Sequence, residues 1–172
     1  MKFIFLFLSI VVITFDLKSQ INIGDNLYVG GNGGFNATNN YSIFSVSPHL
    51  GYIIDNSLSV GARLAYQRTT AKITGIVFNS VGGGPFVRFS FNDFIFLQTE
   101  YEYLSFKVNS IFDNKIRQNY NSIFLGVGIS QVLLGRSSFT ILFLYNILYG
   151  DGVQTPYQSP YVIRTGFDIG FP

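Results

Sequence analysis

His49 is the only histidine of the chain, and two serines precede it at spacings that could support nucleophilic catalysis. Ser45 and Ser47 lie four and two residues before it, so a strand would place all three side chains on one face. Hydrolases and acyltransferases combine a serine, a histidine and an acid to form and break acyl bonds. The pattern therefore allows a hydrolase or an acyltransferase. We favour instead an interior histidine held by hydrogen bonds, and we predict no catalytic residue.

Six charged residues share the strand faces opposite to the apolar side chains of their segments. Three are arginines and three are acids, so they can pair completely, and buried charges are tolerated only when they are paired. The sequence therefore predicts an interior salt-bridge network, in which Arg88 and Arg164 are natural partners of the acids. A path for protons or ions is the alternative role for the same groups. The predicted network comprises Arg63, Arg88, Glu100, Glu102, Arg164 and Asp168.

The elements that must position these residues are alternating segments separated by turn residues. Tight turns are predicted at Asp55–Ser57, Asn92–Asp93 and Leu134–Ser137. The remaining connections are mostly longer and polar, and they centre on Thr38–Asn40, Arg68–Ser80, Lys107–Gln118 and Gly150–Ser159. The eight predicted strands lie near Asn26–Ala37, Tyr41–Ile54, Leu58–Gln67, Val81–Phe91, Phe94–Ser105, Tyr120–Val132, Phe139–Tyr149 and Tyr161–Phe171.

The apolar faces of these segments carry no charged residue, and this polarity decides the fold class. An arginine or lysine at the midplane of a bilayer costs roughly 2–4 kcal/mol, which gives the exclusion a physical cause. Charged residues make up 12% of the chain, about half of the roughly 25% that is usual in soluble domains. The sequence therefore predicts an all-β fold, an eight-stranded antiparallel transmembrane up-and-down β-barrel. Glycines on its inward faces would leave room for the arginines.

The N-terminal segment predicts export from the cytoplasm. Lys2 is followed by an apolar stretch from Phe3 to Phe15, a length that suits the core of a signal peptide and is short for a membrane anchor. We expect residues 1–19 to be a signal peptide and residues 20–172 to form the barrel domain. The chain has no cysteine, which excludes a lipoprotein anchor, disulfides and thiolate metal sites.

The longer connections are basic, whereas the tight turns contain Asp55 and Asp93. If the longer connections face the outside of the cell, their cations would suit the phosphates of lipopolysaccharide. The connections at 107–118 and 150–159 would determine any further surface ligand, and nothing indicates a nucleic-acid partner. The basic residues of the predicted external connections are Arg68, Lys72, Lys107, Lys115 and Arg117.

Two internal segments and the last strand carry a resemblance to a known family. With Ser47–Gly61, Gly84–Phe89 and its aromatic-rich final strand, the chain resembles the small outer-membrane β-barrels of the Bacteroidetes, which are related in architecture to the OmpX and OmpA barrels. The resemblance implies a location in the bacterial outer membrane. The final strand also looks like the signal read by the barrel-assembly machinery, which would be a partner during biogenesis. Pro172 departs from the terminal aromatic residue common in that signal.

The predicted function is structural or interactive, namely membrane integrity, adhesion or surface contact. No cofactor or metal is expected. One alternative is a narrow channel for small solutes or ions. A second is a lipid-modifying enzyme that uses His49, although this residue lies six positions from the tight turn at Asp55, on the side away from the outer leaflet. A third is a soluble barrel with an apolar cavity.

Overall fold

The computed structural model describes residues 26–37, 40–73, 75, 77–109, 115–150, 157 and 159–170. The predicted signal peptide and the last two residues, Phe171 and Pro172, therefore lie outside the described residues. The described part contains eight strands: β1 (Leu27–Ala37), β2 (Tyr41–Ile53), β3 (Leu58–Ala71), β4 (Val77–Ser90), β5 (Ile95–Asn109), β6 (Lys115–Leu134), β7 (Ser137–Asn146) and β8 (Tyr161–Ile169). No helix in these residues is long and apolar enough to cross a membrane.

The strands form one closed antiparallel barrel, which confirms the predicted all-β fold of eight up-and-down strands. Each strand pairs with its neighbours in sequence, and β8 pairs with β1 to close the sheet. Because successive side chains of a strand point to opposite faces, each strand has a lumen side and an outer side. In β8, Arg164 and Asp168 are buried, whereas Ile163 and Phe167 are exposed.

The predicted tight turns lie together at one end of the barrel. Asp55 Oδ1 accepts hydrogen bonds from the backbone N–H groups of Ser57 and Leu58 at 2.7 and 2.8 Å. Asn92 does the same for the residues two and three positions later. Gly135, in the third turn, has a φ of 57°, a left-handed conformation that glycine adopts without strain. This end is called the turn end below, and the opposite end the loop end.

At the loop end, two connections are shorter than predicted. The structure reduces the predicted connection Arg68–Ser80 to residues 72–76, and Lys107–Gln118 to residues 110–114, because the flanking strands continue into both segments. Antiparallel pairing satisfies the backbone groups of polar residues as well as apolar ones, so a polar composition does not end a strand. The predicted seventh strand was too long instead, since the Leu148 N–H turns back to Asn146 Oδ1 at 3.1 Å.

The strand registers set the tilt of the barrel. A path that follows paired residues from strand to strand around the barrel returns to β1 about ten residues beyond its starting point, when the β8–β1 register is extended. This offset is the shear of the barrel. Eight strands with such a shear enclose a narrow interior that side chains fill. The path begins at Leu27 and passes through Tyr52, Val60, Val87, Thr99, Leu125, Tyr145 and Tyr161.

The outer surface is apolar between two bands of aromatic side chains. Among the described residues, the exposed charged side chains lie at the ends of the barrel or in its turns: Asp55, Arg68, Lys72, Asp93, Arg117 and Arg136. The band towards the loop end contains Tyr66, Tyr101, Tyr103, Tyr145 and Tyr161, all exposed. The band towards the turn end contains Tyr52, Phe89, Phe91, Phe94 and Phe167, also exposed.

Candidate functional site: a charge network inside the barrel

The structure places all six charged residues predicted for the interior in the lumen, and it adds His49 to them. They come from β2, β3, β4, β5 and β8, at positions where the strand period points the side chain inward. Each is less than a tenth exposed. The residues form two clusters, one nearer the turn end and one nearer the loop end.

The cluster nearer the turn end is centred on Asp168. Oδ1 of Asp168 lies 2.7 Å from Nε2 of His49, and its Oδ2 accepts a hydrogen bond of 2.9 Å from Nη1 of Arg88. Arg88 also donates through Nε to Oε1 of Gln98 at 2.8 Å. Asp168 is fully buried, so these bonds replace the water that its carboxylate would otherwise bind.

The cluster nearer the loop end joins two arginines to two glutamates. Arg164 donates to Oε2 of Glu100, and Nη2 of Arg63 lies 3.1 Å from the same oxygen. Arg63 also donates to Oε2 of Glu102, which lies 3.7 Å from Nη2 of Arg164. Nε2 of Gln98 donates to Oε1 of Glu100 at 2.6 Å and so joins the two clusters. The three arginines and three acids form one continuous, formally neutral network.

A tyrosine from the connection between β7 and β8 completes the network at the loop end. The Tyr157 hydroxyl donates to Oε1 of Glu102, and its ring meets Phe124 edge-on with 5.4 Å between centroids. Burial raises the pKa of the Tyr157 hydroxyl, and the Glu102 carboxylate raises it further, so the hydroxyl stays protonated and donates. Tyr157 was not among the residues predicted from the sequence, because strand alternation carries no information about a residue in a connection.

Aromatic rings line the network, and these were not predicted from the sequence either. The guanidinium of Arg88 lies 4.3 Å from the ring centroid of Phe96, and that of Arg164 lies 5.2 Å from Phe124, both within the range of cation–π attraction. The strand period could have identified Phe96, which precedes Glu100 by four residues and therefore shares its face. The buried apolar cluster beside the network comprises Phe96, Phe124, Leu142 and Leu144.

Glycines make the space that these large side chains occupy. A Cβ atom added to Gly128 would collide with the ring of Phe96, and one added to Gly51 would collide with the ring of Tyr28. Both rings are buried, with 2% and 0% of their residues' surface exposed. The lumen is therefore occupied by protein side chains at these levels.

The two serines near His49 serve structural contacts. Oγ of Ser47 accepts a hydrogen bond of 3.1 Å from Nη1 of Arg63, and Oγ of Ser45 donates to the carbonyl of Gly34 at 3.4 Å. His49 is itself bonded to Asp168 in the filled lumen, and no hydrogen bond to either serine is found among the described residues. A nucleophile needs such a bond to its base and access for the substrate. The described residues also contain no group of three or more His, Asp or Glu able to hold a metal.

The basic residues of the connections are only partly described. Arg68, Lys72 and Arg117 are exposed at the loop end. Lys107 faces Arg117 in the register of β5 and β6, whereas the side chains of Lys107 and Lys115 lie outside the described residues. The three described cations lie on or beside β3 and β6.

Comparison with solved structures finds the same architecture. The chain is similar to the N-terminal β-barrel domain of Pseudomonas aeruginosa OprF, with 12% sequence identity and a TM-score of 0.53 over 84% of this chain and 96% of that one. It is also similar to the Yersinia pestis outer membrane protein Ail, determined in a phospholipid bilayer nanodisc, with 14% identity and a TM-score of 0.55 over 84% and 98% of the two chains.

At these identities the similarity shows the eight-stranded barrel fold and nothing finer. The chain matches no protein-family model. It also matches no curated protein sequence.

Proposed function

We propose that the protein is an integral β-barrel of the bacterial outer membrane, with a structural or surface-interaction role in membrane integrity or adhesion. The relationship to the small barrels of the Bacteroidetes belongs to this proposal. Its lumen is closed by the charge network and the surrounding rings. The observation that carries the proposal is the inverted polarity of the barrel, with charges buried in the lumen and exposed apolar side chains between two aromatic bands.

This polarity fits a lipid environment and not water. Transmembrane barrels turn an apolar band about 25 Å tall to the lipid and place aromatic residues at both interfaces. From Ile95 to Tyr103, β5 advances by roughly 26 Å at about 3.3 Å per residue, so a tilted strand spans most of such a band. Both solved neighbours are also β-barrels, and one was determined in a bilayer.

Fractionation tests the location directly. Cells that express the chain are lysed, and their membranes are washed with alkaline carbonate and then extracted with detergent. We expect the protein in the outer-membrane fraction, extracted by detergent alone, with a gel mobility that changes when the sample is boiled. Release by carbonate would contradict the proposal and would favour the soluble barrel with an apolar cavity.

A closed lumen distinguishes the proposed role from that of a channel. The continuous network from His49 to Tyr157 and the rings around it occupy the interior, and eight strands leave little further space. We therefore expect no stable openings when the purified protein is inserted into planar bilayers. Stepwise conductance with a reproducible amplitude would support the narrow channel instead.

The partners proposed for the outer surface are lipids and lipopolysaccharide, with the barrel-assembly machinery acting during biogenesis. Exposed Arg68, Lys72 and Arg117 at the loop end support an attraction to phosphate groups. Binding of purified lipopolysaccharide should weaken when all five basic residues of the predicted external connections are replaced by glutamine. It should not weaken when Arg136, at the turn end, is replaced alone. Equal binding by the two variants would rule out a lipopolysaccharide site formed by these five basic residues.

We also propose that the protein has no catalytic activity. This rests on the serines near His49: among the described residues, Ser47 bonds to Arg63 and Ser45 to the carbonyl of Gly34, so neither is paired with the imidazole as a nucleophile would be. Lipid A from cells that express the chain should have the same mass spectrum as lipid A from cells that express His49→Ala. A modified lipid A that disappears with this substitution would establish the enzyme.

A further inference from the structure

The seam at which the barrel closes has the shortest ladder in the described part of the chain. β1 pairs with β8 only from Val29 to Gly33, opposite Thr165–Ile169. β1 continues to Ala37 and β8 begins at Tyr161, but the last pair of the ladder is Gly33 with Thr165. On its other side, β8 pairs with β7 over its whole length. Its backbone is thus held along one edge and along only part of the other.

Two charged side chains of β8 reach across the lumen and bypass this seam. Asp168 bonds to His49 on β2 and to Arg88 on β4, and Arg164 bonds to Glu100 and lies close to Glu102, both on β5. These bonds lead to β2, β4 and β5 and not to β1. Arg164 lies just beyond the point where the ladder stops, so its bonds hold the half of β8 that has no strand partner at the seam.

Gly30 opens the path for one of these bonds. Gly30 of β1 lies directly opposite Asp168 in the register. A Cβ atom at this position would collide with Oδ1 of Asp168 and would lie 2.5 Å from Nε2 of His49. Only the absence of a side chain allows the carboxylate to pass β1 and reach β2.

We infer that Asp168 and Arg164 form a closure lock, which holds β8 in the barrel through bonds inside the lumen to β2, β4 and β5. The network is complete only when β8 is in place, because β8 supplies one acid and one arginine. Before closure, the partners that β8 supplies are missing: Arg164 for Glu100 and Glu102, and Asp168 for Arg88. Closure buries these charges and brings their partners at the same time. Closure of the seam and neutralisation of the lumen are therefore one event. This goes beyond the structural role proposed above, because it assigns two residues to one seam.

Rescue by an engineered disulfide tests the lock. The chain has no native cysteine, so only the introduced pair can form a disulfide. Arg164→Gln should speed unfolding roughly a hundredfold in detergent, as expected when one partner of a buried pair is removed. Cysteines at Gly33 and Thr165, direct neighbours across the seam on the outer face, should restore most of the parent rate when oxidised. Cysteines at Val87 and Thr99, neighbours across β4 and β5, are the matched control and should restore little.

Equal rescue by both disulfides, or rescue by neither, would overturn the inference, since the network would then stabilise the barrel without preference for the seam. If Arg164→Gln does not fold, Arg164→Lys and Gly30→Ala replace it. Gly30→Ala displaces the Asp168 carboxylate without changing any charge, and the disulfide across the seam should rescue it in the same way. The readout is the unfolding rate of the barrel, so it is independent of membrane location and of conductance.

Discussion

Removing the negative charge of Glu100 should destabilise the barrel much more than removing an exposed charge at its ends. Glu100 is 1% exposed and meets Arg164, Arg63 and Gln98. Glu100→Gln preserves the shape of the side chain but leaves two buried arginines with Glu102 as their remaining nearby carboxylate. Breaking a buried pair on one side costs about 3–5 kcal/mol, a large part of a total stability of about 5–15 kcal/mol.

A double-mutant cycle shows whether this cost comes from unpaired charge. Arg164→Gln alone should cost a similar amount, but the double variant restores a neutral interior and should cost clearly less than the two single variants together. The free energy of unfolding is measured by urea titration in detergent micelles, with far-ultraviolet circular dichroism as the signal. Arg117→Gln is the control, because Arg117 is exposed, and should change stability by no more than about 0.5 kcal/mol. Additive costs, or a Glu100→Gln variant as stable as the control, would refute the reasoning.

Three further predictions concern the filled lumen, the outer face and the Tyr157 hydroxyl. Gly82→Ala should lower the free energy of unfolding, measured by urea titration, by about 1–3 kcal/mol, because the new Cβ atom would collide with a backbone carbonyl of β5. Gly31→Ala should lower it little, because the nearest atom to its new Cβ lies 3.9 Å away. Leu125→Arg on the outer face should lower the stability of the barrel in lipid vesicles by roughly 2–4 kcal/mol, and Asn121→Arg, nearer the loop end, by less; equal stabilities would contradict a bilayer at this height. The raised pKa of Tyr157 means that the folded state holds the proton more tightly than the unfolded state. The stability advantage of the parent over Tyr157→Phe should therefore be full below pH 10 and shrink above it, and an advantage independent of pH would contradict the raised pKa.

The strand period was sufficient to predict the barrel and the inward direction of its charges. Each apolar or charged residue of β8, for example, lies on the face that its position in the alternation predicts. The length of the strands at the loop end could not be predicted in this way. There every second residue is polar, as at Ser105, Lys107 and Asn109 of β5, so the ladder continues without the apolar outward face that marks the rest of the strand.

The individual partners inside the lumen could not be predicted, because they depend on the shear of the closed sheet. Arg63 on β3 and Glu102 on β5 are 39 residues apart and meet only when the one intervening strand, β4, fixes their heights. The interior aromatic residues could not be recognised from residue type, because aromatic side chains also suit the lipid-facing surface. Phe124 suits a lipid-facing position by composition, and only its even spacing from Ser122 and Gly126 indicates that it points inward.

The alternation of the strands also has a consequence for the unfolded chain. Because every second residue of a strand faces the lumen, glycines, hydroxyls and charges dilute the apolar residues along the sequence. No segment after residue 20 approaches the roughly 20 consecutive apolar residues at which a translocating chain is retained as a helix. A protein with the proposed location must pass through the inner membrane before it folds in the outer one. The apolar residues that would anchor the folded barrel in the outer membrane are not contiguous in the unfolded chain. The inner membrane would therefore not retain the chain as it crosses.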